Sequence, residues 1–130
     1  MEEQNTNLEK RMKILVADDE ESNRKLLTAV LHEYDVKTVP DGKEALKELE
    51  KEDYPLLFTD MIMPGLNGEE LIKEIRNKSD EKYKKLKIVV ISGSHKAEDF
   101  QKYNIYGFLR KPFNISDVES YASNVYNSEK

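Results

Sequence analysis

The 130-residue sequence predicts a doubly wound α/β fold in which five parallel strands alternate with five helices. Three observations carry that expectation. Short apolar runs of strand length, among them Ile14-Leu15-Val16-Ala17, Leu56-Leu57-Phe58-Thr59 and Ile88-Val89-Val90-Ile91, are separated by segments whose apolar residues recur at helical spacing. The Leu56 to Thr59 run is apolar on both sides of the pleat, as in a parallel strand buried between two helical layers. Each run also ends in polar groups: Asp18-Asp19, Asp60 and Ser92, with the shorter Phe108-Leu109 running into Arg110-Lys111-Pro112-Phe113. In an open parallel sheet with right-handed crossovers, the site lies beyond the carboxyl ends of the strands where strand order reverses, so these groups are expected on one rim.

The elements follow in order. A polar leader over residues 1–12 precedes a first strand, about Lys13 to Ala17. Asn23, Leu26, Leu27, Val30 and Leu31 then fall at i, i+3, i+4, i+7 and i+8, which predicts a helix with one buried stripe. Val36 to Val39 is a weak second strand, and Pro40-Asp41-Gly42 is a turn in which Asp41 caps a helix carrying Ala45, Leu46 and Leu49 inward. The third strand, Leu56 to Thr59, is expected at the centre of the sheet. After the loop Met63-Pro64-Gly65-Leu66-Asn67-Gly68, Asn67 and Glu70 have the spacing of a capping box opening a helix with Leu71, Ile72 and Ile75 inward. A polar stretch from Asn77 to Lys87 ends it. Strand four, Ile88 to Ile91, leads through Ser92-Gly93-Ser94 to a short, poorly patterned helix near Ala97 to Tyr103. Strand five, about Tyr106 to Leu109, meets Lys111-Pro112, and Asn114 caps a last helix with Val118, Tyr121, Ala122 and Val125 on one face. One domain over residues 13–127 is expected, with residues 128–130 as a tail.

Composition narrows the function classes. The net charge of -5 arises from 26 acids and 21 bases, a mixed surface with no global attraction to nucleic acid or anionic lipid, so neither is an expected direct partner. The chain has no cysteine, which excludes disulfides, thiolate chemistry and a Cys-type zinc site. Met1 to Lys13 lacks the apolar centre of a signal peptide and no apolar run has the length of a membrane span, so a cytoplasmic setting is expected.

Carboxylates gathered at the rim repel one another: at about 4 Å a pair costs roughly 1 kcal/mol in water and up to about 4 at an effective dielectric near 20. Oxygen-only ligands favour a hard cation, and Mg²⁺, which takes one or two carboxylates and keeps positions for water and phosphate oxygens, suits Asp18, Asp19 and Asp60 better than calcium. Asp60 is ionised at neutral pH and is able to attack phosphorus without a general base. Lys111 and the Ser92 hydroxyl would neutralise charge on a transferring phosphoryl group from other sides. A lone aspartate after a strand is ordinarily a cap or turn residue. Five such groups at predicted strand ends are hard to obtain from turn preference alone.

At these residues the chain resembles a response-regulator receiver domain of two-component signalling, including the single-domain chemotaxis regulators, over about Lys13 to Asn127. The acidic pair matches Asp18-Asp19, the phosphoacceptor matches Asp60 within Thr-Asp-Met-Ile-Met-Pro-Gly-Leu-Asn-Gly, the hydroxyl residue matches Ser92 and the Lys-Pro pair matches Lys111-Pro112. The resemblance implies a flavodoxin-like strand order of 2-1-3-4-5. It further implies Mg²⁺ held by Asp19, Asp60 and the backbone carbonyl of Ile62, with Asp18 partly through water, and a phosphoryl oxygen gripped by Lys111. The implied donor is a phosphohistidine on a sensor histidine kinase or histidine phosphotransfer protein, and the output is a downstream protein target. The implied switch is Ser92 swinging toward the phosphoryl group while the aromatic Phe108 turns inward. The chain is then not an enzyme with an external substrate but a self-phosphorylating and self-dephosphorylating phosphoacceptor. The stretch from Ser92 to Lys111 is a few residues shorter than is usual in the family, and apolar Ile62 has no group to position an attacking water, so slow self-dephosphorylation is expected.

Rival readings fare less well. A flavodoxin-type cofactor binder needs a phosphate cradle after strand one, where this chain has Asp18-Asp19-Glu20-Glu21. A haloacid-dehalogenase-like phosphatase needs a second acid where Ile62 stands. A degenerate receiver acting only as a binding module is not demanded, because all five positions are filled, and a receiver domain excised from a hybrid histidine kinase would read the same way. His95 reads as a solvated loop histidine and His32 as the end of the first helix. The lysines 78, 82, 84, 85 and 87 read as a solvated face.

Overall fold

The computed structural model describes residues 11–129, so residues 1–10 of the expected leader lie outside the described residues. Five parallel strands, β1 (Lys13–Ala17), β2 (Asp35–Val39), β3 (Leu56–Asp60), β4 (Lys87–Ser92) and β5 (Gly107–Arg110), form one sheet in the order β2-β1-β3-β4-β5. Between and after them run α1 (Glu21–Val30), α2 (Gly42–Lys51), α3 (Gly68–Asn77), α4 (Glu81–Lys85), a 3-10 helix (Ala97–Tyr103) and α5 (Ile115–Glu129). None of the described helices is long and apolar enough to cross a membrane.

Strand side chains alternate between two cores, as the two-residue period of a strand requires. Ile14, Val16, Leu56, Phe58, Val89 and Ile91 meet Leu27 and Leu31 near α1 and Val118, Ala122 and Val125 of α5. On the other face Leu15, Leu57, Ile88 and Val90 meet Ala45 and Leu49 of α2, Leu71, Ile72 and Ile75 of α3, and Phe100 of the 3-10 helix. β3 is buried along its whole length and lies in the middle of the sheet, as its unbroken apolar run predicts.

Capping sets where the helices on this second face begin. The Asp41 carboxylate accepts from the Glu44 N–H at 2.9 Å, and Asn67 and Glu70 form the expected reciprocal box at 2.9 Å in each direction. Gly68 brings the start of α3 so close to the end of β3 that a Cβ there would run into the Asp60 carbonyl, so glycine is required by packing at this point.

Several expectations are corrected. Leu26 is 40% exposed, whereas Leu27 is fully buried and Leu31 is buried just beyond the helix end. The stripe on α1 is therefore narrower than the spacing suggested, because helical spacing marks a face but not how much of it the sheet covers. The polar stretch Asn77 to Lys87 contains α4, which buries Tyr83, so the described residues form six helical segments instead of five. A five-residue helix with one apolar residue has no periodicity to detect. The short helix near Ala97 to Tyr103 has the expected bounds but is 3-10, ending on Asn104 in the left-handed region at φ 56. At the start of α5 the Asn114 backbone carbonyl accepts from the Asp117 N–H at 3.1 Å and the Val118 N–H at 3.4 Å.

The amino ends of the strands hold two polar assemblies, one around half-buried Arg76 and one around buried Glu48. Arg76, in the last turn of α3, donates to four backbone carbonyls: Tyr83 and Tyr103 at 2.7 Å, Leu86 and Asn104 at 3.0 Å. One guanidinium thus joins α3, α4 and the end of the 3-10 helix. Burial pulls its pKa below the ordinary value. In the second assembly the Tyr54 hydroxyl donates to the buried Glu48 carboxylate at 2.7 Å. That bond is the main reason the Glu48 pKa is lowered, and burial followed by the same bond raises that of Tyr54.

Candidate functional site

Register builds the rim. Ala17 of β1 pairs with Thr59 of β3, so the next residues, Asp18 and Asp60, stand side by side at the strand ends. Asp60 in turn pairs with Ile91 of β4, and Ser92 with Arg110 of β5. Lys111 follows directly, its N–H donating to the Ser92 carbonyl at 2.9 Å, and the Lys111–Pro112 peptide is cis.

Oxygens of Asp18, Asp19 and Asp60 lie within 4.8 Å of one another, with Asp18 and Asp60 buried and Asp19 exposed. Lys111 Nζ donates to Asp60 Oδ2 at 3.2 Å, and the Met61 N–H donates to Asp60 Oδ1 at 2.8 Å. The Glu20 N–H donates to Asp18 Oδ1 at 2.9 Å, while Arg24 donates to the Asp18 backbone carbonyl at 2.7 Å. Burial raises the Asp18 pKa; the Glu20 bond opposes this, the neighbouring Asp60 charge adds to it, and Lys111 opposes it more weakly. Three carboxylates thus face one ammonium in a partly dry site. Oxygen-only donors with uncompensated negative charge suit a hard divalent cation.

Ser92 is buried at the end of β4, next to Asp60 in the sheet, but its hydroxyl bonds to its own loop. It accepts from the N–H of Ser94 at 3.2 Å and of His95 at 3.0 Å, and sits 2.8 Å from His95 Nδ1. His95 is therefore half-buried and engaged, which corrects the expectation of a solvated loop histidine. Phe108, on β5, is half-buried with its ring 6.2 Å from that of Phe100. The Phe108 N–H, on the edge strand, donates to the Tyr121 hydroxyl at 3.3 Å. Ile62 stands two residues beyond Asp60 with its side chain 70% exposed.

Asp18, Asp19, Asp60 and Lys111 are brought together, Ser92 stands on the neighbouring strand end, and Phe108 lies one strand further on. Sequence reasoning assigned no role at the site to Arg24, His95 or Arg110. Arg110 donates to the His95 carbonyl at 2.7 Å and the Gly93 carbonyl at 3.3 Å, with its guanidinium 5.7 Å from the Phe108 ring. The only sequence signal for His95 was its place three residues after a serine, the spacing of a local hydroxyl turn.

Residues 14–123 match the family model described as the response regulator receiver domain. Chemotaxis protein CheY-3 of Vibrio cholerae is 30% identical over 125 residues, covering 92% of this chain and 95% of that one. Sensor protein EvgS of Escherichia coli is 32% identical over 129 residues, which cover 95% of this chain but 10% of EvgS. Among solved structures, the chemotaxis response regulator CheY4 of Vibrio cholerae superposes with a TM-score of 0.78 at 29% identity, covering 88% of this chain and 98% of that one.

Proposed function

This chain belongs to the response regulator receiver domain family, and on that footing we propose that Asp60 is its phosphoacceptor in a Mg²⁺-dependent phosphorelay. Receiver domains are signalling modules that meet histidine kinases or phosphotransfer proteins and downstream targets. In this chain the donor is a phosphohistidine. An Asp60 carboxylate oxygen forms the bond to phosphorus as the P–N bond breaks, the imidazole nitrogen keeps the electron pair, and an aspartyl phosphate results.

The observation that carries this reading is the pair of contacts on Asp60. Oδ1 is held by the Met61 N–H and Oδ2 by Lys111, so the carboxylate is oriented and its partner cation is already in place for a phosphoryl oxygen. Asp19, Asp60 and the Ile62 carbonyl, with Asp18 through water, would hold Mg²⁺. The bound ion would supply charge neutralisation at the phosphoryl oxygens. Ser92 and Phe108 are the switch pair, Ser92 as donor to the phosphoryl group and Phe108 as the ring that changes place with it. The receiver occupies residues 13–127 and acts in the cytoplasm.

The test is direct. Incubation with Mg²⁺ and acetyl phosphate should add one hydroxylamine-labile phosphoryl group, seen by intact mass, and Asp60→Asn should abolish it. A folded wild-type chain that stays unlabelled would instead point to a protein-binding module without phosphotransfer.

A further inference from the structure

We propose that His95 is a positioning residue: it holds the Ser92 hydroxyl proton in the unphosphorylated chain and must give it up before Ser92 bonds to the phosphoryl group. The inference rests on the reading of Asp60 as acceptor. A hydroxyl has one proton and two lone pairs. Ser92 Oγ already accepts the N–H groups of Ser94 and His95, so its proton goes to His95 Nδ1, 2.8 Å away. With Nδ1 accepting that bond, the ring carries its own proton on Nε2. Ser94 Oγ, 3.4 Å from the same nitrogen, is the weaker claimant. Ser92 therefore has no free donor for a phosphoryl oxygen until it leaves His95.

The same histidine reaches toward the switch aromatic. Its ring is 5.6 Å from that of Phe100, which is fully buried and lies 6.2 Å from Phe108. Its backbone carbonyl accepts from Arg110, whose guanidinium lies over the Phe108 ring. Departure of the Ser92 hydroxyl thus frees an imidazole that packs on Phe100, itself stacked with Phe108, linking the hydroxyl to the aromatic ring through two successive ring contacts.

Two substitutions separate the acceptor from the ring. His95→Phe keeps a ring against Phe100 and removes the acceptor, whereas His95→Asn places a carbonyl oxygen at the position of Nδ1 and removes the ring. With the whole chain, Mg²⁺ and acetyl phosphate, His95→Phe should raise the ratio of phosphorylated to unphosphorylated protein about three- to tenfold, the effect of one hydrogen bond lost from the unphosphorylated state. His95→Asn should stay within about twofold of wild type. Nitrogen-15 NMR of the wild-type imidazole should show the Nε2–H tautomer in the free chain and a shifted Nδ1 resonance after acetyl phosphate is added. Equal phosphorylation of wild type and His95→Phe, or a proton on Nδ1 in the free chain, overturns the proposal while leaving Asp60 as acceptor. A wild-type chain that takes no phosphoryl group overturns both.

Discussion

At the amino ends of the strands half-buried Arg76 meets four carbonyls and buried Glu48 meets Tyr54. At the carboxyl ends Asp18, Asp19 and Asp60 crowd together with one lysine among them. Both ends hold charge, but at the carboxyl ends, where Asp18 and Asp60 also accept hydrogen bonds, three like charges share one ammonium. A satisfied buried network supports the fold, whereas uncompensated like charges cost stability and persist where a ligand or a reaction needs them. The contrast separates structure from function within one small sheet.

The contrast makes predictions of opposite sign. The largest effect is expected for Arg76→Met, which leaves the carbonyls of Tyr83, Leu86, Tyr103 and Asn104 without their donor and should lower stability by about 3 kcal/mol in urea unfolding. A loss under about 1 kcal/mol would show that water replaces the guanidinium and would break the comparison at its strongest point.

Asp18→Asn, at the other end, should raise stability by about 1 to 3 kcal/mol at neutral pH in the presence of EDTA, because a buried like charge is removed. Added Mg²⁺ should narrow the gap by stabilising wild type more than the variant. Destabilisation by Asp18→Asn in EDTA would mean that the rim is not under electrostatic stress.

Tyr54→Phe strips the buried Glu48 carboxylate of its hydroxyl donor and should cost about 1 to 2 kcal/mol at neutral pH. Because the Glu48 pKa is lowered in the folded chain from its ordinary value of 4.5, the unfolded chain binds the proton more readily. The bond's contribution is therefore full above about pH 4.5 and is lost as pH falls through the folded pKa. The deficit of Tyr54→Phe should shrink over that acid range, and a deficit that grows there would reverse the assignment.

The smallest stability effect belongs to Ile62→Asn. Its side chain is 70% exposed, so thermal unfolding should move by the equivalent of less than about 0.5 kcal/mol. Loss of the phosphoryl group from Asp60 should nonetheless quicken, since an amide is able to orient the attacking water. An unchanged dephosphorylation rate would remove Ile62 from the account of slow turnover.

Much of this was legible in the chain. The central place of Leu56 to Asp60, the cap at Asp41 and the box at Asn67 and Glu70 are local patterns, and they fold as local patterns predict. The rim residues were legible for the same reason, since a polar group at the end of a parallel strand is placed by the strand itself. Leu26 misled because helical spacing marks a face but not how much of it the sheet covers. α4 and Arg76 were unreadable: a five-residue helix carries no period, and an arginine among lysines looks solvated until its partners are known.

By itself, then, the sequence determined the alternation of strands and helices, the family and the chemical character of the rim, because each is written in periodicity and in residues a few positions apart. The tertiary structure decided which polar groups are satisfied. Backbone carbonyls are alike in any sequence, and Arg76 finds those of Tyr103 and Asn104 across 27 and 28 residues only once the sheet has closed. The Ser92 bond to His95 spans three residues, yet it too depends on how the loop is held, by Arg110 from the neighbouring strand and by the Phe100 ring beneath.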